Sequence, residues 1–164
     1  MIPNTSVKSV SRDALLAIRR ELKDAGQTFI FTNGCFDLLH RGHVEYLQQA
    51  RALGDCLAVG LNDDKSVRTL KGPGHPIMPQ QDRAALLAAL ECVSHVCIFR
   101  EKSVENLVGD LLPDILVKGG DYVQKPIVGR EIVEAHGGQV RALPLWRGLS
   151  SSELVRRIKG LSDG

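Results

Sequence analysis

Two histidines three residues apart, His40 and His43, close the run T-N-G-C-F-D-L-L-H-R-G-H (residues 32–43), where a strand-forming stretch gives way to a helix-forming one. Thr28-Phe29-Ile30-Phe31 has the β-branched and aromatic composition of a buried strand. Val44, Leu47, Ala50 and Leu53 then fall near helical spacing, so Gly42 and His43 open a helix. The free N–H groups of a helix N-terminus amount to roughly half a positive charge, and an anion is favoured there before any side chain contributes. His40 and His43 present donors on the same side of that turn, where charge would build up on a reacting phosphate. Gly34 and Gly42 let a ligand come close to the backbone. A helix cap with incidental surface histidines is the plainer reading of the same residues.

Other polar clusters follow strand-like runs in the same way. Asn62-Asp63-Asp64-Lys65 suits an Asx turn capping the helix that contains Val67, and equally a hydrogen-bonding role toward ligand. Lys71-Gly72-Pro73-Gly74-His75-Pro76 cannot be helical. It reads as a plain connector, or as a lid that brings Lys71 over a polyphosphate and excludes water. Lys118-Gly119-Gly120-Asp121 again sets glycines beside a cation, although a simple turn would look similar. Ser150-Ser151-Ser152-Glu153 fits a helix cap, with more hydroxyls than one cap needs. The cysteines Cys35, Cys56, Cys92 and Cys97 include no C-x-x-C pair, so a structural zinc site is not expected and the thiols should be reduced. Cys35 lies within the histidine-bearing loop but has no base beside it.

The elements that must position these groups alternate along the chain. A helix capped near Ser11 carries Leu15, Ile18 and Leu22 at 3.6-residue spacing and stops near Gly26; it is expected to cover either its own sheet or a neighbouring subunit. Strands are predicted over 28–33, 56–61, 94–99, 114–118 and 139–143. Helices are predicted over 42–53, 80–91, 103–112, 127–136 and 151–159. This alternation implies right-handed crossovers and an α/β fold: one Rossmann-like three-layer domain with about five parallel strands. Ligands in such sheets lie beyond the carboxyl ends of the strands, where each polar cluster falls. We expect an N-terminal segment and helix (1–27), the main domain (28–160) and a tail (161–164), with residues 1–10 frayed.

At 164 residues the chain suits one well-buried domain. Hydrophobic content of 43% with 24% charged residues is globular, and a formal net charge of +2 makes no case for a nucleic-acid surface. No apolar run approaches the roughly 20 residues that cross a bilayer, and the N-terminus lacks the order of a secretory signal, so a cytoplasmic protein is expected.

Gly34, Phe36, Asp37, His40, Gly42 and His43 occupy every fixed position of G-x-F-D-x-x-H-x-G-H, and the string resembles the signature of the cytidylyltransferase-like nucleotidyltransferases. The resemblance implies an enzyme in which a sugar or alcohol phosphate attacks the α-phosphorus of a nucleoside triphosphate in line. It expels pyrophosphate without a covalent intermediate. It places Asn33, Gly34, Cys35, Phe36, His40, Gly42 and His43 against the nucleotide, together with Arg83, Lys118, Gly119, Asp121 and Ser150, Ser151 and Ser152. Catalysis would fall to His40 and His43, with Lys71 and Arg83 on the β- and γ-phosphates. The sugar phosphate would lie near Asn33, Asp37, Asn62 and Lys71, although Asp37 has the alternative role of holding its loop by accepting backbone N–H bonds. No side chain is expected to hold a metal, and Mg²⁺ arrives with ATP and pyrophosphate.

Over roughly residues 28–159 the chain resembles the adenylyltransferases that join ATP and D-glycero-β-D-manno-heptose 1-phosphate into ADP-heptose for lipopolysaccharide. These domains are often fused behind a sugar kinase, so a stand-alone form implies a separate kinase and phosphatase. The family also suggests a homo-oligomer such as a dimer. The resemblance to glycerol-3-phosphate cytidylyltransferase is weaker, because Glu91 stands where an arginine is common there. A nucleotide sensor without turnover is the reading of a different class, against which the paired histidines and three cations argue.

Overall fold

The structure is a computed structural model and describes residues 7–120, 126–144, 148 and 150–161. Helix α1 (Arg12–Asp24) precedes strand β1 (Phe29–Gly34), and α2 (Arg41–Arg51) leads to β2 (Cys56–Asn62). Helices α3 (Asp64–Lys71) and α4 (Gln80–Ala89) precede β3 (His95–Phe99), and α5 (Glu105–Leu111) precedes β4 (Ile115–Gly119). Finally α6 (Arg130–Ala135), β5 (Gln139–Leu143) and α7 (Ser151–Leu161) complete the described chain. The strands form one parallel sheet in the order β3-β2-β1-β4-β5, a Rossmann-like arrangement with helices on both faces.

Alternation along each strand divides the core in two. Phe29, Phe31, Ala58, Cys97 and Leu116 pack with α1, α5 and α6, whereas Ile30, Leu57, Val59, Leu61 and Val117 pack with α2 and α4. Gly60 makes room for one aromatic ring: a Cβ there would lie 2.7 Å from Phe31 Cζ.

Helix α1 covers its own sheet. Ser11 Oγ accepts the Ala14 N–H, Leu15 is fully buried, and Arg19 donates to the carbonyls of Leu111 and Leu112 and pairs with Asp114 at 2.9 Å. Before it, Lys8 to Val10 run beside β3 rather than fraying. The Val96 N–H donates to Lys8 O and its carbonyl accepts from Val10, so the outer edge of β3 is partly paired. Leu161, expected in the tail, is the last residue of α7.

The chain runs from β1 outward to β3 and then returns to the other side of β1 at β4, which makes the β1–β4 junction the switch point. β1 pairs with β2 through six residue pairs but with β4 through only Ile30–Ile115 and Phe31–Leu116. Beyond those pairs the two strands part, and a crevice opens between Asn33 and Lys118.

Candidate active site

Lys118 bridges the mouth of that crevice. Its ammonium donates to both the side-chain and the backbone oxygen of Asn33, and burial lowers its pKa to about 8. Above it a cleft of about 240 Å³ is lined by Asn33, Gly34, Cys35, Phe36, Asp37, His43, Tyr46, Lys71, Lys118, Gly119 and Ser151. Most of the expected site residues therefore converge at the C-terminal ends of β1 and β4.

His40 is the N-cap of α2, and its ring stacks on His43 with centroids 3.8 Å apart. The His40 backbone N–H donates to His43 Nδ1 at 3.4 Å, which fixes the tautomer and leaves Nε2–H as the donor for the cleft. Burial, with smaller contributions from nearby His40 and Lys71, lowers the His43 pKa to about 4. The ring is neutral at pH 7 and acts as a hydrogen-bond donor, not as a cation. Burial lowers the pKa of His40 as well. His43 lines the cleft, with His40 packed against it. Tyr46, one turn after His43, also faces the cleft, and its hydroxyl lies 2.6 Å from Thr32 Oγ1. The sequence analysis missed it; its i+3 relation to His43 is the signal that could have found it.

The signature loop is held in an uncommon backbone shape. Phe36 and Leu38 both have φ of 44°, in the left-handed region that side chains disfavour. The Phe36 ring anchors this turn: it is buried, sits 5.3 Å from the His43 ring, and would meet a Cβ at Gly34 at 3.0 Å. Burial pushes the Cys35 thiol up, against the downward pull of the Lys71, Arg83 and Lys118 charges.

Two expected ligands are turned inward. Arg83 is fully buried beneath the cleft. It donates to the carbonyls of Met78, Cys35 and Asn62 at 3.0, 2.6 and 2.9 Å, and to Asp64 Oδ1 at 2.7 Å. Its guanidinium is directed at four oxygens of the protein, away from the cleft where phosphate contact was expected. Asp37 is 1% exposed, and its carboxylate accepts the N–H groups of Ile77 and Met78 at 2.8 and 3.0 Å, with His75 Nδ1 at 3.4 Å. Burial raises the Asp37 pKa, but these donors and the Lys71 charge outweigh it, and the group sits below the usual carboxylate range. Its oxygens are engaged by these donors, which fits the loop-holding alternative. His75, which the sequence marks only as part of a loop, joins the same network.

Asn62 is buried, donates to Ser66 Oγ, and lines a second cavity of about 280 Å³ that shares Asn33 and Lys118 with the first. Phe99, Lys102 and Ser103 also line it, and no sequence motif marks them. Asp63 caps α3 by accepting the Ser66 N–H. At α7, Ser150 Oγ accepts the Glu153 N–H, Ser151 Oγ donates to the carbonyls of Asp37 and Leu38, and Ser152 is exposed. Gly42 is buried at the start of α2. Asp121 lies outside the described residues. Among the described residues, no cluster of three His, Cys, Asp or Glu side chains is placed to hold a metal, and no helix is long and apolar enough to cross a membrane.

The family model described as cytidylyltransferase-like matches residues 31–157, which takes in both histidines, the crevice and most of α7. The chain belongs to the cytidylyltransferase-like family. Its relatives include bifunctional protein HldE of Syntrophotalea carbinolica, 48% identical over 89% of this chain, and HldE of Citrifermentans bemidjiense, 52% identical over 87%. The chain spans about 31% of the length of the first and 29% of the second. Among solved structures it resembles a lipopolysaccharide core biosynthesis protein from Thermoplasma volcanium, with TM-score 0.60 and 28% identity over 74% of this chain and 98% of that one. Pantoate-beta-alanine ligase from Francisella tularensis shares the fold, with TM-score 0.63 and 15% identity over 92% of this chain and 76% of that one. The cytidylyltransferase-like match thus extends from Phe31 of β1 to Arg157 of α7 and includes every element that lines the cleft.

Proposed function

We propose that this domain transfers an adenylyl group from ATP to the phosphate of a sugar 1-phosphate and releases pyrophosphate. The observation that carries the reading is the crevice itself: a neutral histidine donor at a helix N-terminus, two lysines, and no nucleophile–base pair among the described residues lining it. Such a site works by positioning and by stabilising charge. An oxygen of the acceptor phosphate attacks the α-phosphorus, the bond to the bridging oxygen breaks, and pyrophosphate leaves with that electron pair.

His43 Nε2–H and the free N–H groups of α2 meet the charge that grows on the α-phosphate oxygens. Lys71 follows the charge moving onto the β- and γ-phosphates, and Lys118 holds Asn33 at the crevice. The second cavity, with Asn33, Asn62, Lys102 and Ser103, is the place we assign to the sugar phosphate. Mg²⁺ suits a site of this kind as a passenger on the triphosphate, because Asp37, the carboxylate that lines the cleft, has its oxygens committed to N–H groups. When bound it neutralises the departing pyrophosphate.

Heptose 1-phosphate is the acceptor that the sequence resemblance favours, supported by the identity to HldE proteins and by the likeness to a lipopolysaccharide core biosynthesis protein. Pyrophosphate release from ATP, CTP and GTP, each offered heptose, hexose and glycerol phosphates, tests the assignment. Release with ATP and D-glycero-β-D-manno-heptose 1-phosphate is expected. Release only with CTP and glycerol 3-phosphate would overturn the acceptor, and binding without release for every pair would leave a sensor.

A further inference from the structure

Segment 64–78 rises from the sheet as a small lobe that consists of α3 and the loop after it, with Lys71 at its midpoint. The tip is open around its glycines. Gly72 and Gly74 have φ of 91° and 85°, and nothing lies within 4 Å of a Cβ built on either. The base is fixed. Arg83 pairs with Asp64, where the lobe begins, at 2.7 Å, and donates to Met78 O, where it ends, at 3.0 Å. The same guanidinium ties that base to the ends of β1 and β2 through Cys35 O and Asn62 O. The Met78 peptide is held from both sides, since its N–H donates to Asp37 and its carbonyl accepts from Arg83. Two buried charged groups therefore direct their hydrogen bonds to the foot of the lobe that carries the exposed lysine.

We infer that Arg83, with Asp37, is a positioning residue that sets where Lys71 stands over the cleft and itself touches no phosphate. This rests on the role proposed above for Lys71. A lysine at position 83 keeps the charge but replaces a planar fork of donors with a single ammonium, which cannot span four acceptors. A displacement of about 1 Å at a reacting group can cost about 10²-fold in rate, so R83K should lower kcat toward that extent even when folded.

The test is a double-mutant cycle with K71A, reading kcat and the Kd for ATP, with thermal unfolding recorded for each variant. If Arg83 acts through Lys71, R83K in the K71A background changes either quantity by less than about twofold. Equal losses in both backgrounds, or weaker ATP binding when R83K is added to K71A, would overturn the inference and make Arg83 an independent ligand. If R83K is unfolded at the assay temperature, D37N, which loosens the same Met78 peptide, is combined with K71A and read by the same criterion. An unimpaired K71A would instead remove the proposed role of Lys71, and the inference with it. The two failures are thus distinguishable.

Discussion

The neutral state of His43, on which its proposed donor role rests, is built by its surroundings. Burial disfavours the imidazolium, the neighbouring ring of His40 and the Lys71 ammonium oppose a further positive charge, and the His40 N–H occupies Nδ1. A folded-state pKa near 4 against about 6.5 in the unfolded chain means that the unfolded state takes up the proton first. The stability that His43 contributes is therefore fully present above about pH 6.5 and is lost progressively as pH falls toward 4. An NMR titration of the imidazole C–H signals should place the His43 midpoint near 4, or meet acid unfolding first; a midpoint at 6.5 in the folded protein would contradict the buried neutral ring. The histidine pair was legible in the sequence because spacing and residue type together specify it. The inward turn of Arg83 was not legible, because an arginine at a helix start has the same sequence signature whether its side chain points at ligand or beneath it. The left-handed turns at Phe36 and Leu38 left no mark, since neither residue is the glycine that such a φ usually requires.

At the scale of elements, the site exists because β1 can follow β2 for six residue pairs and β4 for only two. The β1–β2 ladder in turn depends on Gly60 leaving space for Phe31. Gly60→Ala places a methyl 2.7 Å from the Phe31 ring in a closed core, and should destabilise the fold by about 1–3 kcal/mol in denaturant unfolding. A change below about 0.5 kcal/mol would mean that the ring moves aside freely. Each predicted strand and helix has a counterpart in the structure, with ends shifted by a few residues, because hydrophobic period and Gly or Pro punctuation are local signals. The pairing of Lys8–Val10 with β3 was not legible, as it depends on an exposed strand edge distant in sequence.

Across the whole molecule, the strand order brings the signature loop, the Lys71 lobe, the end of β4 and the start of α7 to one rim of the sheet. Residues 37 and 38 join three of these parts: Asp37 binds the lobe through its carboxylate, and the carbonyls of both accept from Ser151 of α7. Among the described residues the rim holds donors and cations without a group positioned to form a covalent intermediate, so the account requires a single displacement at the α-phosphorus. The most direct measurement supplies ATP with sulfur at the α-phosphorus in one configuration, together with the heptose 1-phosphate, and determines the stereochemistry of the sugar nucleotide by phosphorus NMR. The account predicts a product that carries the sulfur on its transferred phosphorus with inverted configuration. Retained configuration, or sulfur left behind in a released nucleoside diphosphate, would contradict it.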